Sequence, residues 1–464
     1  MGGVAKIFFF TGIVILSSNL SLLAQVVRII TLKNCLEEAR LNYPSIKAKQ
    51  ADIYGQEKKF SASKTEYLPA LLAGGQVNYA TANSLNGAYI SNEGLSTSIS
   101  GGIHEQNNYN PVFGSFGTIE VDWKVFNFGK VTANVDVAKS ALNTSQADYE
   151  NELFQHQVRV ADAYLLALVT KKLSIAQENN LKRAQRLREV IHAGAQSGLK
   201  AGADSSFAAA EVSKAKLLYL ESKKNELAQL IRLAELIGEK NDIAVDSAGF
   251  FSQLPHDFST DTVNANQVPV VRYFHTLVNY RQSRSVAIMR SYAPSILLTG
   301  IGYARGSGIS NKDNSYNERF SAGVPFQVYN YYAGVSFRMN ILNYAKVSRE
   351  YKSELFEMEK AQHLYEEAAL KANKQLELAN IQLTLARQQA DEAPLQFNAA
   401  LASYRQSSAR YRSGFGTIAD LAQNFYILNR ADVDKSISFN NVWRAVLLKA
   451  AAVGNLSYLT NQIN

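Results

Sequence analysis

The chain has little of what enzymes and nucleic-acid binders carry. Its single cysteine, Cys35, cannot form an internal disulfide, and it has no Cys or His partner at metal-ligand spacing. So few thiols suit a protein that folds without staples in an oxidising compartment. The histidines His104, His156, His192, His256, His275 and His363 are scattered, with no metal-binding interval among them. No G-x-S-x-G, no P-loop and no G-x-G-x-x-G opening a helix occurs. The sequence therefore offers no catalytic group, metal site or cofactor site. The net charge of +8 is spread over 464 residues, without a run of five or six like charges and without basic residues interleaved with aromatics. That argues against nucleic acid as a partner. Glycine (27) and proline (8) are too few for a disordered or linker-like chain.

Long hydrophobic runs are also missing. Residues 1–24 read as a signal peptide: Lys6 supplies the positive charge, 7–16 the apolar stretch, Leu22-Leu23-Ala24 the small residue at the cut, and Gln25 the first mature position. The apolar stretch is too short to span a bilayer, and no later segment has 18 uncharged apolar residues. If the mature chain enters a membrane it must do so as β-strands, because a closed barrel is the only alternative to spanning helices. Its apolar content, 47%, is enough for a large core or a lipid-facing surface.

What is present is written twice. Phe126-Asn127-Phe128-Gly129-Lys130-Val131 returns as Leu342-Asn343-Tyr344-Ala345-Lys346-Val347, an offset of 216 (126 to 342). Gly198-Leu199-Lys200-Ala201-Gly202-Ala203-Asp204 returns as Gly414-Phe415-Gly416-Thr417-Ile418-Ala419-Asp420 at the same offset (198 to 414). A looser pair, Tyr67-Leu68-Pro69-Ala70 and Tyr292-Ala293-Pro294-Ser295, is offset by 225 (67 to 292). Preserved spacing of this kind indicates two equivalent units. We divide the chain into a first repeat over 25–245, a linker over 246–268 and a second repeat over 269–464.

Each repeat has one grammar. A helical stretch, 32–67 and then about 270–292, ends at a proline. Two strands around a polar loop follow, the loops lying near 81–111 and 305–325 and rich in Asn, Ser and Gly. In 118–126, Ile119, Val121, Trp123 and Val125 alternate with Thr118, Glu120, Asp122 and Lys124. In 329–341, Tyr329, Tyr331, Ala333, Val335, Phe337, Met339 and Ile341 alternate with Asn330, Tyr332, Gly334, Ser336, Arg338 and Asn340. One apolar and one polar face fit a transmembrane barrel strand with lipid outside and water inside. Alternation alone also fits a soluble β-sandwich. Then come very long helices, 131–197 and 347–413, each about 100 Å if unbroken. Pro394 is placed to kink the second.

Four strands per chain cannot close a barrel, and open edges in lipid are prohibitive, so several chains must pool their strands. Three chains give twelve strands, and the long helices pool into a hollow tube.

At this point the chain resembles the TolC family of outer-membrane efflux proteins. The marks are Thr31-Leu-Lys-Asn-Cys-Leu-Glu-Glu-Ala-Arg40 with Asn42-Tyr-Pro44, the Leu68-Pro69 and Ala293-Pro294 strand starts, and Trp123-x-x-Phe-Asn-Phe-Gly129. In the last of these Asn127 stands where the family has Asp. Tyr411-Arg-Ser-Gly414-x-Gly-Thr-x-x-Asp420-Leu completes the set. The resemblance implies a mixed α and β membrane protein, internally duplicated, with a long antiparallel coiled-coil tunnel in the periplasm and a transmembrane β-barrel. It implies a homotrimer that docks on a periplasmic adaptor (membrane fusion protein) and an inner-membrane pump, with no catalytic site of its own. Drug efflux fits this scaffold, and type I protein secretion is the alternative. A soluble coiled-coil scaffold is the distant one.

The two Gly-containing turns are the candidate functional residues. Gly198-Leu199 and Gly414-Phe415 join antiparallel helices at the end remote from the barrel, and an exposed apolar residue after each glycine would be a docking knob for the adaptor. Asp420, read as just under two turns into the returning helix, would form a carboxylate ring at the periplasmic gate, or serve its own helix start through the dipole. Gln423 stands where many family members carry a second acid. Asp204 is the repeat mate of Asp420, and a hydrogen bond from Tyr411 to Asp204 would constrain the closed tip.

Overall fold

A computed structural model describes residues 28–463 apart from 84–89, 92–95, 98–102, 104, 199–200, 248–249, 252, 257–266, 311 and 314. The signal-peptide reading of 1–24, part of the 81–111 loop and of the linker, and Leu199 of the first tip lie outside the described residues. In chain order come β1 (Arg28–Ile30), α1 (Leu32–Asn42), α2 (Pro44–Lys64), β2 (Ala70–Ala80), the short β3 (Ile90–Ser91) and β4 (Ser96–Thr97), β5 (Val112–Phe126), α3 (Lys130–Gln196), α4 (Gly202–Ile237) and β6 (Ile243–Val245). Then follow α5 (Pro269–Arg290), β7 (Ser295–Ser307), α6 (Phe320–Gly323), β8 (Val328–Arg338), α7 (Tyr344–Arg412), α8 (Ile418–Val453) and α9 (Ser457–Thr460). Helices α4 and α8 begin and end at the 216-residue offset (202 to 418, 237 to 453).

One expectation is corrected. The first helical stretch, 32–67, is broken: Tyr43 is extended at φ −72°, ψ 126°. Pro44 causes this, because proline drives the preceding residue out of the α region. It then opens α2 at the position where its missing N–H is not needed, as Pro269 does for α5. Pro394 lies inside α7, which continues through it as one helix of 69 residues.

The helices are arranged so that each long one is flanked by two shorter ones stacked end on end. Helix α3 (67 residues) carries α4 along its lower part and α2 along its upper part. Lys49 on α2 pairs with Asp148 on α3, and the buried His156 ring donates to the Leu236 carbonyl near the end of α4 at 2.8 Å. The joint where α4 ends is tight, since a Cβ at Gly238 would lie 3.2 Å from Asn42 Cβ, at the end of α1 just ahead of α2. Helix α7 is flanked in the same way by α8 and α5, with Arg281 of α5 on Glu354 of α7. Its joint is tighter still: a Cβ at Gly454 would lie 2.9 Å from both Gln267 O and Val268 Cα. The buried residues of α7 (Ala361, Ala368, Ala372, Leu376, Ala379, Leu383, Ala386, Ala390, Ala393 and Ala400) recur at intervals of 3, 4 or 7. That is a coiled-coil seam made mostly of alanine, which lets α8 approach closely.

The main core sits midway along the bundle, where α3, α4, α8 and α1 meet the parallel pair β1–β6. Tyr164 on α3 is fully buried, and its hydroxyl reaches Asp246 O at 2.8 Å, tying the helix to the end of β6. Burial pushes the Cys35 thiol in this core up to about 12, so it is an inert small apolar side chain.

The remaining strands form one antiparallel sheet in the order β2-β5-β7-β8. Pairings such as Leu71↔Val121, Val121↔Gly300 and Gly300↔Ala333 put Leu71, Val77, Ile119, Val121, Trp123, Leu298, Tyr331, Val335 and Phe337 on one face. All of these side chains are exposed. The other face carries Thr118, Glu120, Asp122, Thr299 and Arg338, with Thr299 Oγ1 donating to Asp122 Oδ1 at 2.8 Å. A sheet with its apolar face outward is inverted relative to a soluble protein and matches a barrel wall in lipid. Among the described residues no helix is long and apolar enough to cross a membrane.

The stacked joints give a direct check. Gly414 and Gly454 both end a helix with left-handed φ, +80° and +81°, but a Cβ at Gly414 would meet nothing within 4 Å. Gly414→Ala should cost only the left-handed backbone penalty, about 1 kcal/mol. Gly454→Ala adds a collision with backbone and should lower the urea midpoint of the detergent-extracted protein distinctly further. Equal losses would contradict the packing of α8 on α5.

Candidate functional site

The two helical tips lie side by side at the end remote from the sheet. Each begins with a glycine that stops a long helix. At the second tip, Gly414 N–H donates to Tyr411 O (3.2 Å) and Phe415 N–H to Arg410 O (2.9 Å), using two carbonyls the helix end would otherwise leave bare. Phe415 follows with its side chain 80% exposed. At the first tip Gly198, with φ +77°, turns the chain after α3.

Helix α8 then starts later than the sequence reading placed it. Thr417 is its N-cap, so Asp420 is the third helical residue, in the first turn, rather than nearly two turns in. Thr417 Oγ1 accepts from Asp420 N–H at 3.1 Å, while Asp420 Oδ2 accepts from the Thr417 hydroxyl at 2.7 Å and from its N–H at 3.4 Å. This capping box holds the Asp420 carboxyl below the usual carboxylate range, chiefly through the Thr417 hydroxyl. Asp420 and Gln423 are both exposed.

The repeat mate behaves differently for a local reason. The position equivalent to Thr417 is Ala201 (201 to 417), and α4 has no side-chain cap. No hydroxyl at its own N-cap engages the Asp204 carboxylate, and Asp204 Oδ2 accepts a 2.8 Å hydrogen bond from the Tyr411 hydroxyl on α7. Tyr411 is 4% exposed and packs with Ile191, Ala208 and Leu421, so one side chain from each of the four helices meets there. Burial first, and then the Asp204 carboxylate, push the Tyr411 phenol up to about 12, so it remains a neutral donor. The structure thus brings Tyr411 and Asp204 together and keeps Asp420 apart, on its own cap.

One contact the sequence reading missed lies a turn above. Asn424 Oδ1 accepts from Ser403 Oγ at 2.6 Å, and its Nδ2 donates to Ser407 Oγ at 3.2 Å and Asp420 O at 2.8 Å. It ties α8 to α7 immediately behind Asp420, and only its place one turn after Asp420 hinted at it.

The cap has a pH signature. A depressed carboxyl pKa stabilises the fold above the ordinary carboxylate range, and that contribution is lost as pH falls through the folded pKa. Thr417→Val should therefore lower the thermal midpoint at neutral pH, with the gap to the unsubstituted protein closing in acid. A gap that stays constant with pH would show that Asp420 draws nothing from the cap.

Residues 35–239 match the family described as outer membrane efflux protein. No curated protein sequence matches the chain. Among solved structures it is similar to VceC from Vibrio cholerae (TM-score 0.72, 14% identity, covering 91% of this chain and 96% of that one). It is also similar to the CmeC outer membrane channel of Campylobacter jejuni (0.73, 15%, 91% and 85%). A third is the open state of the MtrE outer membrane channel of Neisseria gonorrhoeae (0.72, 16%, 91% and 89%). The family match covers the first repeat, and over nine-tenths of its length the chain shares the fold of these outer-membrane channels.

Proposed function

We propose that three copies of this chain form a passive export duct that carries small molecules from an inner-membrane pump and a periplasmic adaptor to the exterior. The observation that carries this reading is the open sheet. Four strands end in two unpaired edges, β2 and β8, while the face they share is apolar and outward. In hydrocarbon each bare backbone group costs several kcal/mol. Pairing β8 of one chain with β2 of the next removes every edge when three chains close a twelve-stranded ring. The same operation turns the helical pairs into a twelve-helix tunnel. The duct needs no energy source of its own, since the pump supplies it.

The tips are the gate in this reading. The bond from Tyr411 to Asp204 links the α7–α8 pair to the α3–α4 pair and holds the tunnel end closed. Three Asp420 carboxylates, ionised through the cap, form a single acidic ring that favours cations. Gln423 leaves that ring without a second acid. Gly198, Gly414 and Phe415, with Leu199, present the surface that meets the adaptor.

Two measurements test this. Negative-stain images of protein extracted in mild detergent should show threefold particles about 130–140 Å long, from roughly 100 Å of helix and about 30 Å of hydrocarbon. Compact particles would remove the duct reading altogether. In planar bilayers, Tyr411→Phe and Asp204→Asn, singly or together, should raise single-channel conductance. Unchanged conductance would leave the duct standing and remove these two residues from the gate.

A further inference from the structure

Long extracellular loops of a barrel usually project into water. Here the segment after β7 turns back instead, and it lies on the outward, apolar face of the sheet. Three contacts fix the side. Ser115 Oγ donates to Val324 O at 2.7 Å. The Phe326 ring sits where a Cβ on Gly117 would be 2.9 Å away. Phe320 packs edge-on against Phe113 with ring centroids 5.2 Å apart. Phe113, Ser115 and Gly117 alternate in unbroken register with Ile119, Val121 and Trp123, so all six share one face. The bulge in β5 comes only after Trp123.

Glycine is the reason the segment can lie flat. A Cβ on Gly323 would collide with Phe113 O, and one on Gly306 with Pro325 O. The turn is also pinned at its end: Gln327 N–H donates to Arg305 O (2.8 Å), and its side-chain amide donates to Ala322 O (2.7 Å). Yet the outer surface of this layer is apolar. Phe320 is 59% exposed and Phe326 46% exposed. They continue an aromatic row with Tyr79, whose ring lies 4.6 Å from that of Phe113.

Height along the wall decides what those rings touch. Trp123 stands at the helical end, its Nε1 donating to Tyr67 O at 3.0 Å. Gly117 is six residues above it, about 20 Å along the strand and roughly 15 Å in height at a tilt near 40°. Phe113 is ten residues above it, roughly 26 Å in height, about the full depth of the apolar band of such barrels.

We propose that residues 319–327 form a lipid-seated strap. It is a second layer on the outside of the barrel wall, with Phe326 among the acyl chains of the outer leaflet and Phe320 at their boundary with the headgroups. The partner is the outer-leaflet lipid itself. Continuity carries this: the strap covers part of a face whose uncovered remainder is the membrane-facing band, and it replaces that band with aromatic side chains. The inference rests on the outer-membrane reading of the sheet.

The test uses the full protein with Trp123→Phe as background, reconstituted in phosphatidylcholine vesicles brominated on the acyl chains. Trp443, the other natural tryptophan, is buried. Phe326→Trp keeps an aromatic ring in place. Tyr331→Trp reports the uncovered band on the same face, and Lys312→Trp reports the exposed turn of the loop. The strap predicts that Phe326→Trp and Tyr331→Trp lose most of their added emission to bromine and little to acrylamide, with the reverse for Lys312→Trp. Phe320→Trp, the second strap variant, should be quenched by bromine less than Phe326→Trp and more than Lys312→Trp. If Tyr331→Trp is quenched by bromine but both strap tryptophans respond only to acrylamide, the strap stands in water and the proposal fails alone. If Tyr331→Trp also responds only to acrylamide, the sheet is not in lipid and the membrane reading fails with it.

Discussion

An edge β-strand leaves half of its backbone hydrogen-bonding groups without a partner, and hydrocarbon offers them nothing. This constraint organises the whole chain. A single copy has a four-stranded sheet whose outward face is apolar along Leu71, Ile119, Trp123, Tyr331 and Phe337 while β2 and β8 end in bare edges. The sheet is therefore complete as a surface and incomplete as a fold. In the trimer proposed above, everything below it has to present identical chains at one distance and one tilt, so that β8 of one finds β2 of the next. Helices of about 100 Å that share a rigid core midway are a means of setting that distance.

The helical part solves its own problem of length. A helix of 67 or 69 residues needs a partner along all of it, and no single antiparallel helix supplies one. Each long helix is instead covered by a 36-residue helix from below and a 21- or 22-residue helix from above, meeting end to end. The meeting points are where the chain is least tolerant. Gly238 and Gly454 end the lower helices in the left-handed conformation, Pro44 and Pro269 begin the upper ones, and a Cβ on either glycine would press on the neighbouring turn. At the second joint the missing Cβ of Gly454 faces Pro269 itself, and at the first that of Gly238 faces Asn42, two residues ahead of Pro44. The alanine seam on α7 belongs to the same economy of space, since small side chains let the neighbouring helices approach closely.

Much of this was legible in the sequence because it repeats. The 216-residue offset located both long helices, both tips and the returning helices, and the period of two in 118–126 assigned the faces of β5 correctly. The juxtaposition of Tyr411 and Asp204 was legible only through the family resemblance, not through the repeat. What escaped was set by single residues or by distant partners. The break at Tyr43 is written in Pro44, which ends one helix at the residue before it and starts the next. The late start of α8 was written in the spacing of Thr417 and Asp420, a threonine three residues before an acid. The pairing of β1 with β6 and the turning back of 319–327 onto the sheet have no local signal. The first joins three-residue segments far apart in the chain, and the second depends on glycines whose partner surface is a different strand.

Duplication also sharpens the reading of the tips, because the two copies are an internal control. Asp204 and Asp420 occupy equivalent positions at the start of equivalent helices, and each lies within reach of its own N-cap. At Thr417 the cap has a hydroxyl to offer, and the Asp420 carboxylate turns to it. At Ala201 it has none, and the Asp204 carboxylate crosses to a buried tyrosine on another helix. One side chain, threonine or alanine, separates a carboxylate that serves its own helix from one that joins two helical pairs. In the duct proposed above, the difference separates a tip fixed within itself from one fastened to its neighbour by a bond that motion of the pairs would have to break.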